Sequence, residues 1–202
     1  MSCMAADAPG QMIGTAPDAD YLLLRTEDAL TEYPVEEYNW AVGAAYADST
    51  GVDVINSSLG YSEFDDPVYN YTYADLDGNT TPSARAADVA ASKGILVLLS
   101  AGNQGSSAWH YITTPADADS ALTVGAVDSS GFQASFSSWG PSSDGRVKPD
   151  VMAMGRRTAV VYCDGSFTQG SGTSFSSPVL AGAAACLWQA HPDKTNMEIL
   201  RA

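Results

Sequence analysis

Residues 95–99, Ile-Leu-Val-Leu-Leu, have no polar side chain on either face. Side chains alternate sides along a strand, so this one needs apolar cover above and below. That is the situation of a central strand in a parallel sheet with both faces covered. The flanking pattern agrees. Residues 21–25 (Tyr-Leu-Leu-Leu-Arg) and 52–56 (Val-Asp-Val-Ile-Asn) read as further strands. Between them, Trp40, Ala41, Ala44 and Ala45 recur at helical spacing, and Gly51 supplies a stop. Residues 83–92 read as a helix with Ser83 as N-cap and Lys93-Gly94 as its end. Residues 121–127 form another strand, and 173–190 one long helix rich in Ala and Gly. Residues 61–82 are irregular. Residues 128–172 alternate short segments with Ser/Gly/Pro turns, which predicts small antiparallel strands. Strand–helix alternation predicts a three-layer α/β fold, a mostly parallel sheet flanked by helices. In such folds ligands bind at the carboxyl ends of strands.

Bulk properties remove several classes. The 202 residues carry 9 basic and 24 acidic side chains, a net charge of −15. Nucleic-acid binding needs a basic surface to displace counterions, so that class is disfavoured. No apolar run reaches the roughly 18 residues of a membrane span. Cys3, Cys163 and Cys186 are far apart and form no Cys-x-x-Cys pair, so neither zinc nor redox motifs find support. A disulfide between two of them stays open. Cys186, in an apolar helical run, is expected to pack as a small hydrophobe.

Three segments suggest chemistry. Ser171-Gly172-Thr173-Ser174 meets the long helix at its start, where unpaired N–H groups and the helix dipole favour negative charge. Ala101-Gly102-Asn103 follows the apolar strand and sets a carboxamide donor at its carboxyl end, where it could donate to an oxyanion. Residues 53–60 end a strand in Ser57-Ser58-Leu59-Gly60, leaving backbone free to pair with an extended peptide.

Taken together, these segments resemble the subtilisin-like serine peptidases, the subtilases. Residues 172–178, Gly-Thr-Ser-Phe-Ser-Ser-Pro, are similar to that family's nucleophile signature, Gly-Thr-Ser-x-[Ala/Ser]-x-Pro. Residues 101–103 resemble its oxyanion segment, and 53–60 its substrate-lining strand. Residues 124–128, 135–141 and 148–151 match further segments in the same order, so the resemblance spans about 14–199. It implies Ser174 as nucleophile and Asn103 as oxyanion donor. Ser58, Leu59 and Gly60 would line one side of a polypeptide-binding cleft, Ala101 and Gly102 the primary specificity pocket, with Thr173 beside them. It also implies a cis bond at Thr114-Pro115, no cofactor or metal for the chemistry, and an extracellular or cell-envelope location.

One departure matters. Serine needs a base, and the base an orienting carboxylate; in this family they come earlier in the chain. His110 lies after Asn103, and His191 at the far end of the nucleophile helix; both are expected to be structural. Residues 9–19 resemble the stretch that follows the family's histidine helix, with residues 1–6 as that helix's last turns. The expectation is therefore a partial catalytic domain over 1–202, cut at both ends, lacking its N-terminal part and inactive alone. Exposed apolar surface would then favour self-association. The alternative is a catalytically dead subtilase-fold module that binds peptides or a partner. A module unrelated to proteases would hold Ser174 and Asn103 far apart. Asp75-Leu76-Asp77-Gly78-Asn79 is similar to half a calcium loop but lacks the bidentate Glu, so a solvated turn is expected there; a structural calcium is possible but unsupported. Tyr69, Tyr71 and Tyr73 in the same loop would shape specificity.

Overall fold

The computed structural model describes residues 1–202. In chain order the elements are helix α1 (Ser2–Ala5), a small hairpin β1–β2 (Asp7–Ala8, Met12–Ile13), α2 (Val35–Thr50), β3 (Val54–Ser57), α3 (Pro82–Ser92), β4 (Leu96–Ser100), β5 (Leu122–Val127), β6 (Val151–Met154), a hairpin β7–β8 (Thr158–Val161, Phe167–Gly170), α4 (Thr173–Ala190) and α5 (Asn196–Leu200). The central sheet has four strands in the order β3-β4-β5-β6, and every pairing is parallel.

The apolar run at 95–99 behaves as its composition demands. Val97 and Leu99 face one side, packed with Ala84, Ala87, Ala91 and Trp40 of α2 and α3. Leu96 and Leu98 face the other, packed with Ala181 and Ala184 of α4 and Ile199 of α5. All five residues of β4 are buried. Alanines dominate the helix faces, which lets the helices lie close to the sheet.

Local signals explain the element ends. Gly51 stops α2 in the left-handed region, its N–H returning to Ala47 and Asp48 carbonyls. Pro82 opens α3 at its first position, where a missing N–H costs nothing. The cap is Thr81, whose Oγ1 accepts from the Ala84 N–H at 3.4 Å, rather than Ser83. Ser83 is buried instead and donates its hydroxyl to Glu37 of α2 at 2.6 Å, pinning the two helices together.

Four expectations need correction. Residues 21–25 form no strand; Leu22, Leu23 and Leu24 are exposed, Leu23 at 71%. The segment runs beside α2, with Leu24 and Thr26 over Gly43, and no sheet edge reaches it. An apolar run becomes a strand only when a neighbour accepts its backbone hydrogen bonds. Second, residues 151–154 join the main sheet as β6, parallel to β5, where only small antiparallel strands were expected. The short segment follows a turn-rich stretch, so alternation of strand and helix did not mark it. Third, Cys186 is exposed: Ala181, Ala184 and Trp188 turn toward the sheet, which leaves Cys186 on another face of α4; its thiol donates to the Thr15 carbonyl at 3.4 Å. All three cysteines are free. Fourth, Ala101 is not on a pocket wall, as described below.

Candidate functional site: a serine and a carboxamide across one cleft

The carboxyl ends of β3 and β4 meet the amino end of α4. There a polar cleft of about 230 Å³ is lined by Ser58, Leu59, Gly60, Ser100, Gly102, Asn103, Gln104, Thr113, Thr173 and Ser174. Ser174 and Asn103 therefore share one cleft, which excludes the reading that separates them.

Ser174 is the second residue of α4. Its N–H belongs to the first turn, which has no intrahelical acceptor to serve. Its carbonyl is left open for a different reason: the residue four positions on is Pro178, which has no N–H to donate. Ser58 fills that vacancy, its Oγ donating to the Ser174 carbonyl at 3.1 Å. The Ser174 hydroxyl in turn reaches the Ser58 carbonyl at 3.5 Å. Beneath them the Ser177 hydroxyl donates to Asn56 Oδ1 at 2.8 Å. The Pro of the 172–178 motif thus couples Ser174 to the end of β3.

Asn103 is oriented by its oxygen. Oδ1 accepts from the Thr173 N–H at 2.8 Å and from the Thr173 hydroxyl at 3.1 Å. The Gly102 N–H donates to the same hydroxyl at 3.2 Å. With Oδ1 committed, the amide flip is settled and Nδ2 is the group left to serve the cleft. Thr173 is itself fully buried, and its main contribution is to hold Asn103.

Gly60 and Gly102 lie where their backbones must approach Thr113. A Cβ on Gly60 would stand 2.2 Å from Thr113 Oγ1, and one on Gly102 2.9 Å from both Thr113 Oγ1 and Ser138 Oγ. Ala101 is the exception among the expected cleft residues. It is fully buried with Leu76, Ile112 and Ala116. Alternation along the chain explains this: Ser100 and Gly102 face the cleft, so Ala101 must face the opposite way. Gln104, Ser100 and Thr113 line the cleft without having been singled out in the sequence. Thr113 is brought in from ten residues beyond Asn103 by the loop after β4, a contact no local pattern reveals. The Thr114-Pro115 bond is cis.

Neither histidine reaches this cleft. His110 stacks on Trp139 with ring centroids 5.6 Å apart, and its Nδ1 lies 3.0 Å from the Gly105 carbonyl. His191 ends α4, its N–H closing onto Leu187 and Trp188 carbonyls. No carboxylate lines the cleft either. In the 61–82 loop, Asp75 caps Thr72, and Asp77 accepts from the Asn79 and Thr80 N–H groups, which hold its carboxyl below the usual range despite some desolvation. These oxygens serve local turns and do not converge on a shared point. Of the loop tyrosines, Tyr71 donates to Glu37, and Tyr73 donates to the Pro141 and Ser142 carbonyls; none lines the cleft.

A covered parallel sheet, with a serine at a helix start facing a carboxamide at a strand end, is the arrangement of a subtilisin-like α/β fold. Comparison with known proteins agrees. The subtilase family model matches residues 2–202. The chain belongs to the subtilase family. It is 34% identical over 190 residues to subtilisin E of Bacillus subtilis (strain 168), covering 93% of this chain and 44% of that protein. It is likewise 34% identical to subtilisin DY of Bacillus licheniformis, covering 61% of it. The chain thus spans about half the length of the curated relatives it matches. Among solved structures, the self-cleaved protease domain of PatA has the same fold, with a TM-score of 0.79 over 99% of this chain and 70% of that one at 23% identity. A cold-adapted subtilisin-like serine proteinase gives 0.64 over 81% of this chain and 52% of that one, at 26% identity. No helix is long and apolar enough to cross a membrane.

Proposed function

We propose that these residues are the nucleophile-bearing part of a subtilisin-type serine endopeptidase acting outside the cell or in its envelope. The observation that carries the reading is the fixed amide of Asn103, turned toward the cleft it shares with Ser174. In the reaction, Ser174 Oγ bonds to the scissile carbonyl carbon while its proton passes to a base. The carbonyl oxygen gains the negative charge and is held by Asn103 Nδ2 and the Ser174 N–H. Collapse of that intermediate expels the amine, which takes the proton, and leaves an acyl-enzyme on Ser174 that water hydrolyses. An extended polypeptide lies along Ser58, Leu59 and Gly60 on one side and Gly102 on the other, using free backbone groups at the ends of β3 and β4.

The base and its carboxylate come from polypeptide outside these 202 residues, since neither a histidine nor a carboxylate lines the cleft. A positioned general base contributes roughly 10²–10⁴-fold, so this chain alone is expected to turn over peptides very slowly. The same observation favours a second reading, a module that binds peptide without cutting. A fluorophosphonate probe separates the two. Strong labelling of Ser174 in the intact protein, abolished by Ser174→Ala and weak in the isolated chain, supports the peptidase. Absence of labelling in the intact protein sinks it and leaves the binding module. Thr173→Val should also weaken labelling in the intact protein, because Asn103 loses one of the two donors that hold its oxygen.

A further inference from the structure

Residues 20–34 contain neither helix nor strand, yet two of their carboxylates are drawn to one point. Glu27 and Glu32, half-buried, meet Glu36 from the first turn of α2, with one oxygen of each within 4.8 Å of the other two. None of the three is paired with a Lys or Arg. Some oxygens are served: Tyr61 Oη and Thr26 Oγ1 donate to Glu27 Oε1 at 2.7 and 2.9 Å, and the Asp28 N–H donates to Glu36 Oε1 at 2.9 Å. Glu36 Oε2 is not. The residue is 2% exposed, and this oxygen is buried without a partner.

The next residue shows the contrast. Glu37 is also fully buried, but Tyr71 Oη, the Ser83 N–H and the Ser83 hydroxyl all donate to it. The adjacent buried carboxylate is therefore provided for, as buried polar groups usually are, while Glu36 Oε2 and, elsewhere, Asp117 Oδ1 are not. The three-glutamate cluster is short of positive charge.

We propose that Glu27, Glu32 and Glu36 hold a calcium ion. The donors are all carboxylate oxygens, the choice of a hard cation, and the absence of His or Cys disfavours zinc. Calcium takes oxygens at roughly 2.3–2.6 Å, so oxygens on opposite sides of it stand up to about 5 Å apart, which accommodates this spread; the magnesium shell, at roughly 2.0–2.1 Å, is tighter. The ion would face Glu36 Oε2, the oxygen of the cluster that is buried and has no protein donor. Its place in the fold gives it a role. Glu27 is bonded to Tyr61, the residue after Gly60 in the cleft wall, and the Tyr61 N–H is bonded to the Thr114 carbonyl. Glu32 and Asp65 exchange further bonds across the same gap. Calcium would fasten the irregular 20–34 segment to the start of α2 and to that wall.

The test is calcium binding to the 202-residue chain by equilibrium dialysis, with the thermal midpoint read in parallel. The expected result is one saturable calcium per chain and a rise in Tm with calcium that magnesium does not reproduce. Glu36→Gln and Glu32→Gln should each weaken binding by roughly tenfold or more, since each removes a charged ligand, whereas Asp75→Asn with Asp77→Asn should leave it unchanged. If Glu36→Gln shows no cooperative transition, Glu32→Gln decides. No saturable binding at millimolar calcium, full affinity in the decisive variant, loss only in the Asp75/Asp77 variant, or an equal magnesium shift would each overturn the proposal.

Discussion

Replacing Gly102 by alanine strikes the backbone that carries Asn103, and its cost can be worked from two separate terms. Gly102 has φ +100°, a conformation an L-residue enters at about 1–2 kcal/mol. The new Cβ would also stand 2.9 Å from Ser138 Oγ and from Thr113 Oγ1, and 3.4 Å from Thr113 Cγ2. Overpacking of a tight site adds about 1–3 kcal/mol. The sum is about 2–5 kcal/mol. Gly51 separates the terms. It too has positive φ, +77°, but a Cβ there would meet nothing within 4 Å. Gly51→Ala should therefore cost the strain alone, about 1–2 kcal/mol. Urea unfolding is the assay. With a slope of roughly 2 kcal/mol per molar, Gly102→Ala should lower the midpoint by about 1–2.5 M at unchanged slope. Adding Thr113→Ala removes one of the two short contacts and should recover part of that loss. Equal midpoints for Gly51→Ala and Gly102→Ala would refute the reasoning, since Thr113 and Ser138 would then have yielded freely.

Two further outcomes are expected. Leu98→Ala, in a fully buried residue between β5 and α4, should cost about 2–5 kcal/mol by the same assay, while Leu23→Ala, at a residue 71% exposed, should stay within about 0.5 kcal/mol; a large effect at Leu23 would mean that 21–25 is packed after all. Asp117 is fully buried and its carboxyl is pushed up, by burial first, against the lowering effect of the Gly78 N–H it accepts. The folded state then holds that proton more tightly than the unfolded chain. Its contribution to stability is complete below the unfolded value of about 3.9 and is lost as pH rises through the higher folded value. Asp117→Asn should flatten the stability profile just above that point, and identical slopes in urea titrations of both proteins would contradict it.

Local patterns announced most of the regular structure. Helices near 36–48, 83–92 and 173–190 and strands near 52–56, 95–99 and 121–127 appear within a few residues of where periodicity and stop signals put them. The strongest signal was the doubly apolar strand, because burial on both faces admits few architectures. The failures have one cause. Residues 21–25 are as apolar as a strand, and 151–154 carry no stronger local mark, yet only the second pairs. Pairing depends on a neighbouring edge, which is not a property of the segment. Thr81 in place of Ser83 as the α3 cap is the same lesson on a smaller scale: Ser83 was needed by Glu37, forty-six residues away.

The sequence by itself determined the class of the protein. The order of motifs from Asn56 to Pro178 and the covered parallel strand sufficed for that, since they depend on residue type and local periodicity. The tertiary structure decided what each residue does there. It turned Ala101 into the core, made Thr173 the anchor of Asn103, and assigned to Ser58 the carbonyl that Pro178 leaves unpaired. It also gathered Glu27, Glu32 and Glu36, nine residues apart along the chain at most, and left one of their oxygens buried without a donor. Each of these is a matter of which groups meet across the fold, and direction in space is set only once the sheet and its helices have packed.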